Sequence, residues 1–163
     1  MSTDAPVTHL EEALKLEADG YVHLFEARLK TDPVTIVRFW NGPTRTWNGH
    51  SYEGIACQLT GDGKTAQGEL SRPNLTIQNP GNIFGLYAAE GYFDLAEVIR
   101  KRVLQQNFIN DVAAFKQNVW IVGRVANSTQ QILQLELRSP TDMPVWLTPR
   151  RTYSPPDYPF VTI

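Results

Sequence analysis

Turn signals cut this chain into runs too short for ordinary helices, and that spacing is its strongest constraint on fold. Thr31-Asp32-Pro33, Asn41-Gly42-Pro43, Asn48-Gly49, Gly61-Asp62-Gly63, Pro80-Gly81 and Asn127-Ser128-Thr129 all fall between apolar segments. Each combines residues that tolerate positive φ, preset φ, or bond their own backbone. The segments between them alternate apolar and polar residues, the period of a half-buried strand. Eleven glycines and eleven prolines in 163 residues fit a turn-rich, mainly β chain. A chain this long buries roughly 68–70% of its unfolded surface, enough for one substantial core.

The stretch at residues 66–79, AQGELSRPNLTIQN, reads as a turn, a polar lead-in and a strand. Leu75 and Ile77 face one way, Thr76 and Gln78 the other. Pro73 cannot donate to a ladder, so an edge-like strand is expected, with a polar face available to another subunit. Earlier in the chain, residues 21–30 alternate, with Val22, Leu24 and Glu26 opposite Tyr21, His23, Phe25, Ala27 and Leu29; residues 34–40 read as the returning strand. Asn48-Gly49 predicts a tight hairpin carrying Trp47 on one arm and Tyr52 on the other. Residues 55–60 make a further short strand. Residues 119–125, with Trp120, Val122 and Arg124 on one face and Val125 on the other, pair with residues 131–137, where Leu133, Leu135 and Leu137 share a side.

Helical signals are few. Thr8 as N-cap with Glu11 three residues later forms a capping box, and Leu10 and Leu14 share a face, so a helix is expected over residues 8–19. Residues 83–90 place Ile83, Leu86, Tyr87 and Glu90 at helical spacing, a short helix weakened by Gly85. Residues 99–108 satisfy both periods, and the periodicity alone leans to helix. The last residues carry Pro149, Pro155, Pro156 and Pro159 and are expected to be extended. The chain therefore divides into one β-rich domain at 1–148 and a Pro-rich tail at 149–163.

The chemistry in this sequence is sparse. A formal charge of −2 gives no electrostatic case for nucleic acid or an anionic membrane. No apolar run reaches the ~18 residues of a membrane-spanning helix. Cys57 is the lone cysteine, and His9, His23 and His50 share no ligand spacing, so no metal or cofactor is expected. A thiolate nucleophile needs a nearby base; only His50 is near in sequence, and a buried structural thiol is the expectation. Glu11/Glu12 and Asp94/Glu97 fit helix and turn capping better than paired acid and base. Arg100-Lys101-Arg102 is the main basic run, preceded by Glu90, Asp94 and Glu97. A catalytic assignment is not expected.

Several pieces nevertheless occur in a distinctive order: YVHLFEARL, TWNGHSYEGI with its W-x-G-x-x-Y spacing, ELSRPNLTIQNPGN, DLAEVIRKRVL, the pair VWIVGRV and QILQLELRSP, and finally VWLTPRRTY. In that order the chain resembles the minor tail protein L family of lambda-like bacteriophages with long non-contractile tails. The resemblance covers nearly the whole chain. It implies that residues 98–108 form a strand, against the lean of periodicity, and it implies a barrel or sandwich of antiparallel strands, with an N-terminal helix and a short central helix, similar to tail-tube and hub domains. Glu97 stands where the family's D-L-x-G-A pattern has a glycine. Many members continue into a cysteine-rich region holding an iron–sulfur cluster; here one cysteine cannot supply the thiolates, so a short form without that cofactor is expected.

The resemblance further implies a structural virion protein, not an enzyme, located at the distal tail tip after assembly in the host cytoplasm. It would form a ring, threefold in preference to sixfold, and connect a tube-side ring protein to the central hub. Neither direct nucleic-acid binding nor stable membrane insertion is implied. Arg72, Pro73, Asn74, Thr76, Arg100, Arg102, Pro149, Arg150 and Arg151 are the expected subunit contacts. Two other classes have discriminating signs. A carbohydrate- or peptide-binding module would show a cleft lined by Trp47 and Tyr52. A cell-wall hydrolase would bring His50 to Cys57.

Overall fold

In a computed structural model of the chain, the structure describes His9 and residues 20–31, 33–63 and 72–142. Nine strands form one mixed sheet: β1 (Tyr21–Leu29), β2 (Thr35–Trp40), β3 (Arg45–Trp47), β4 (His50–Gly54), β5 (Cys57–Thr60), β6 (Asn74–Gln78), β7 (Glu97–Leu104), β8 (Phe115–Ser128) and β9 (Ile132–Arg138). Their order across the sheet is β3-β4-β2-β1-β7-β8-β9-β6-β5. Among residues 20–142 that are described, two short α-helices accompany them, α1 (Ile83–Ala89) and α2 (Gln105–Ile109). The fold is mainly β and sandwich-like. The expected helix over residues 8–19 lies outside the described residues apart from His9, and the tail at 149–163 lies outside them entirely.

The sheet is rolled, so that the inner faces of β1 and β7 meet those of β6 and β9. Phe25, Ala27, Leu29, Val98 and Trp120 pack with Leu75, Ile77, Leu133, Leu135 and Leu137 in one core. A second core forms on the other side of β1. The β3–β4 ribbon folds down there, and Leu24, Trp47, Tyr52, Val103 and Phe108 cluster together. Covering both faces of β1 and β7 explains why the period of residues 99–108 is blurred. Val98 and Arg100 face one core while Ile99, Lys101 and Val103 face the other side, and both sets are apolar enough to mimic a helix. As the resemblance implied, the segment is a strand, up to Leu104, and the chain then turns into α2.

The Asn48-Gly49 turn forms as expected, with both residues at positive φ, 49° and 73°. Its tip is pinned by the Asn48 N–H donating to Asp111 Oδ1 at 2.6 Å.

Four expectations are corrected. β6 is not an edge strand: it pairs through residues 74–77 with β5 on one side and through residues 74–78 with β9 on the other. Pro73 stands just before the ladder, where its missing N–H costs nothing, and its carbonyl accepts the Leu137 N–H at 2.8 Å. The sheet is not wholly antiparallel, because β2 and β4 pair in parallel through Phe39 and Trp40. β8 carries bulges between Val122 and Arg124 and between Val125 and Asn127, which return Val125 to the core and send Arg124 outward to Glu136. Finally, α1 buries Phe84, while Ile83 and Leu86 are exposed, because its short length presents one anchoring side chain and not a stripe.

Candidate assembly surface

Among the described residues the side chains capable of chemistry are not gathered into a catalytic constellation. Trp47 and Tyr52 are fully buried, so they line no cleft, and the sign of a carbohydrate or peptide module is missing at that position. Aromatic packing accounts for them: Trp47 meets Tyr52 and Phe115 edge-on, with ring centres 6.3 and 5.7 Å apart. His50 sits at the exposed tip of the β3–β4 ribbon opposite Trp47, and among the described residues it makes no hydrogen bond to Cys57. Cys57 is half-buried on β5 against the main core. Burial pushes its thiol up to about 11, the opposite of an activated nucleophile. Among the described residues no three of His, Cys, Asp or Glu gather as a metal site.

The strongest polar cluster is internal. Glu26 is 5% exposed on the second-core face of β1. Its Oε1 accepts hydrogen bonds from Tyr52 Oη at 2.6 Å, Lys101 Nζ at 2.8 Å and Arg38 Nε at 3.3 Å. Burial opposes its charge, but the hydrogen bonds from Lys101 and Tyr52 and the charges of Lys101 and Arg38 prevail, holding the carboxyl below its ordinary value. Burial and that same hydrogen bond push the Tyr52 hydroxyl up, so it stays a donor. This arrangement fixes the ribbon on the sheet and leaves no group free to act on a substrate.

A second anchor closes the 66–79 stretch. Asn79 is fully buried. Its Oδ1 accepts the Phe84 N–H at 2.9 Å, and its Nδ2 donates to Thr129 O at 3.0 Å and Asn82 Oδ1 at 3.1 Å. One amide therefore ties β6 to the start of α1 and to the β8–β9 turn. Sequence reasoning quoted Asn79 within its motif without giving it a role; the signal was an asparagine ending a strand just before Pro80-Gly81.

The outward face of β5, β6 and β9 is of a different kind. Gln58, Thr76 and Gln134 lie in one cross-strand row, and Thr60, Asn74 and Glu136 in the next. Beside them opens a cleft of about 1000 Å³ lined by Asn41, Gln58, Thr76, Gln78, Gln131 and neighbouring backbone. The face consists of amides and hydroxyls, with Glu136 already bonded to Arg124 at 2.7 Å. Of the expected contact residues, Asn74 is exposed and Thr76 half-buried here. Arg72 is exposed near Asp142, at 3.7 Å. Pro73, just before β6, is buried. Arg100 lies elsewhere, 6% exposed, bonded to Asp62 Oδ2 at 2.6 Å and stacked over Trp120. Arg102 stands beside it on β7, half-buried. Pro149, Arg150 and Arg151 are outside the described residues.

Among curated proteins none matches the chain by sequence. A family model does: residues 35–155, from the start of β2 past the end of β9, match phage minor tail protein L. With most of the chain matched and a mainly β fold, the chain belongs to the phage minor tail protein L family and is a structural protein of a phage tail.

Proposed function

We propose that the chain is a component of the distal tail tip, where a ring of three copies joins a tube-side ring protein to the central hub. The observation that carries this reading is the neutral outer face of β5, β6 and β9, with Gln58, Asn74, Thr76, Gln78 and Gln134 side by side. Amide and hydroxyl rows are desolvated at lower cost than charges and impose register through hydrogen bonds, which suits a repeated subunit contact. Arg72 flanks the face, and Pro149, Arg150 and Arg151 extend the proposed contact. Closed symmetry lets modest individual contacts add up without growth of a filament. The chain acts through geometry and performs no catalysis; the finished protein resides in the virion.

Light scattering coupled to size exclusion tests this, using the chain alone and mixed with the hub protein of the same phage. The expected result is a stoichiometric complex containing three copies, reduced to free monomer by Thr76→Arg or Asn74→Arg with folding unchanged. A monomer indifferent to the hub protein would refute the tip assignment. A hexamer would refute the threefold ring.

A further inference from the structure

Buried polar atoms without partners are few among the described residues, and four of them gather at one end of the rolled sheet. Arg100 Nε and Arg102 Nε on β7, Asn118 Oδ1 on β8 and His9 Nε2 are buried without a hydrogen-bond partner. The register explains why they meet. His23 of β1, Arg102 of β7 and Lys116 of β8 form one cross-strand row, and Phe25, Arg100 and Asn118 form the next row inward. Paired residues point to the same side with Cβ atoms about 5 Å apart. That side is the inner one, since Val98 and Trp120 in the following row belong to the main core. A cavity of about 340 Å³ opens beside the His23, Phe25 and Arg100 members of these rows, lined also by Tyr21, Cys57 and Gln58 but by neither Arg102 nor Lys116.

Charge at this mouth is unbalanced. Arg100 is matched by Asp62 at 2.6 Å. Arg102 and Lys116 are directly opposite each other, and among the described residues neither has a carboxylate within ion-pair distance. Like charges in register repel, so the fold holds a locally unfavourable pair. The histidines beside it feel the same field. Burial and then Arg100 and Arg102 hold His23 below its usual value, with Asp62 opposing; burial and then Arg102 and Lys116 do so for His9. Both rings are therefore held towards the neutral form, and the permanent cations dominate.

We propose that the His23–Arg102–Lys116 row, backed by Arg100, is an anion site that takes a carboxylate side chain presented by a neighbouring polypeptide. A guanidinium and an ammonium carried at paired positions complement a carboxylate by charge-assisted hydrogen bonds. Tyr21 and Phe25, which line the adjoining cavity, suit the apolar stem of one inserted glutamate or aspartate. A nucleic-acid backbone would need a continuous basic stripe, whereas Asp62 sits within the site and the chain's net charge is −2. The inference rests on the proposed function only in taking the neighbour to be another tail polypeptide.

The test uses the full chain with acetate as probe, at constant ionic strength maintained with chloride, and follows arginine Nε–H resonances by NMR. Saturable shifts at Arg102 and Arg100, with an upward shift of the His23 titration, are expected. Arg102→Gln should abolish them and Lys116→Gln should weaken them at least threefold, while Arg72 stays silent. Both variants should also raise the melting temperature in the absence of acetate, because each removes repulsion. Linear shifts equal in all proteins would overturn the site. So would a fall in melting temperature for both variants, which would make the cations structural. Saturation by inorganic phosphate but not acetate would overturn the carboxylate assignment. No assembly partner is needed, so failure here is separable from failure of the threefold ring.

Discussion

Glu26→Gln removes one charge and leaves nearly the same shape, and its effect can be worked from the network around it. The amide still accepts from Tyr52, so the hydroxyl keeps a partner. The loss falls on Lys101 and Arg38, whose side chains are only 12% and 23% exposed and which then face each other without a counter-ion. Breaking a buried pair by removing one member costs about 3–5 kcal/mol, against a total stability of about 5–15 kcal/mol for a domain. At about 2–4 °C per kcal/mol, the melting temperature should drop by roughly 6–20 °C. Urea unfolding followed by tryptophan fluorescence measures this directly, with Trp47 packed against Tyr52 as a local reporter.

The pH dependence supplies an independent check. The folded Glu26 carboxyl lies below its unfolded value. Its stabilisation is therefore complete above the unfolded value of about 4.3 and is lost as pH falls through the lower folded value. Wild type should lose stability on acidification more steeply than Glu26→Gln, and the two curves should converge in acid. Asp62 and Glu136, also held low by their arginines, titrate in both proteins and drop out of the difference. A loss below about 1 kcal/mol, with parallel acid curves, would refute the idea that this charge is bound into the second core.

Other positions give sharp outcomes. Asn79→Ala strands the Phe84 N–H and the Thr129 carbonyl, each costing about 1–3 kcal/mol, so urea unfolding should show a loss of about 2–6 kcal/mol. Gly54→Ala drives a methyl group into the carbonyl of Gly42, a backbone atom that cannot swing aside; a loss of about 1–3 kcal/mol or more by thermal unfolding is expected. With its thiol pushed up to about 11, Cys57 should react with iodoacetamide at pH 8 about a hundredfold more slowly in the folded chain than in urea. A ratio below tenfold would show the thiol to be accessible and ordinary.

Much of this molecule was legible in the chain itself. Turn chemistry and alternation are local, so the Asn48-Gly49 ribbon, the β1–β2 hairpin and the β8–β9 hairpin could be read from neighbouring residues. The ordered motifs carried the family, which residues 35–155 match. Pairing partners distant in sequence were not legible. Leu75 and Ile77 announce a strand, but nothing near them says that β5 and β9 lie on either side, and Pro73 pointed the other way because a proline one residue outside a ladder looks like one inside it. The role of Glu26 was equally hidden. Alternation put it on the face of Leu24, yet only the folding of Trp47 and Tyr52 over that face turned a charged position into a buried acceptor for Lys101 and Arg38. The Arg102–Lys116 opposition likewise arises from the β7–β8 register. Sequence determined the elements and their faces because those depend on neighbours within a few residues; tertiary structure decided which faces meet, because burial and ion pairing depend on groups that the chain brings together from far apart.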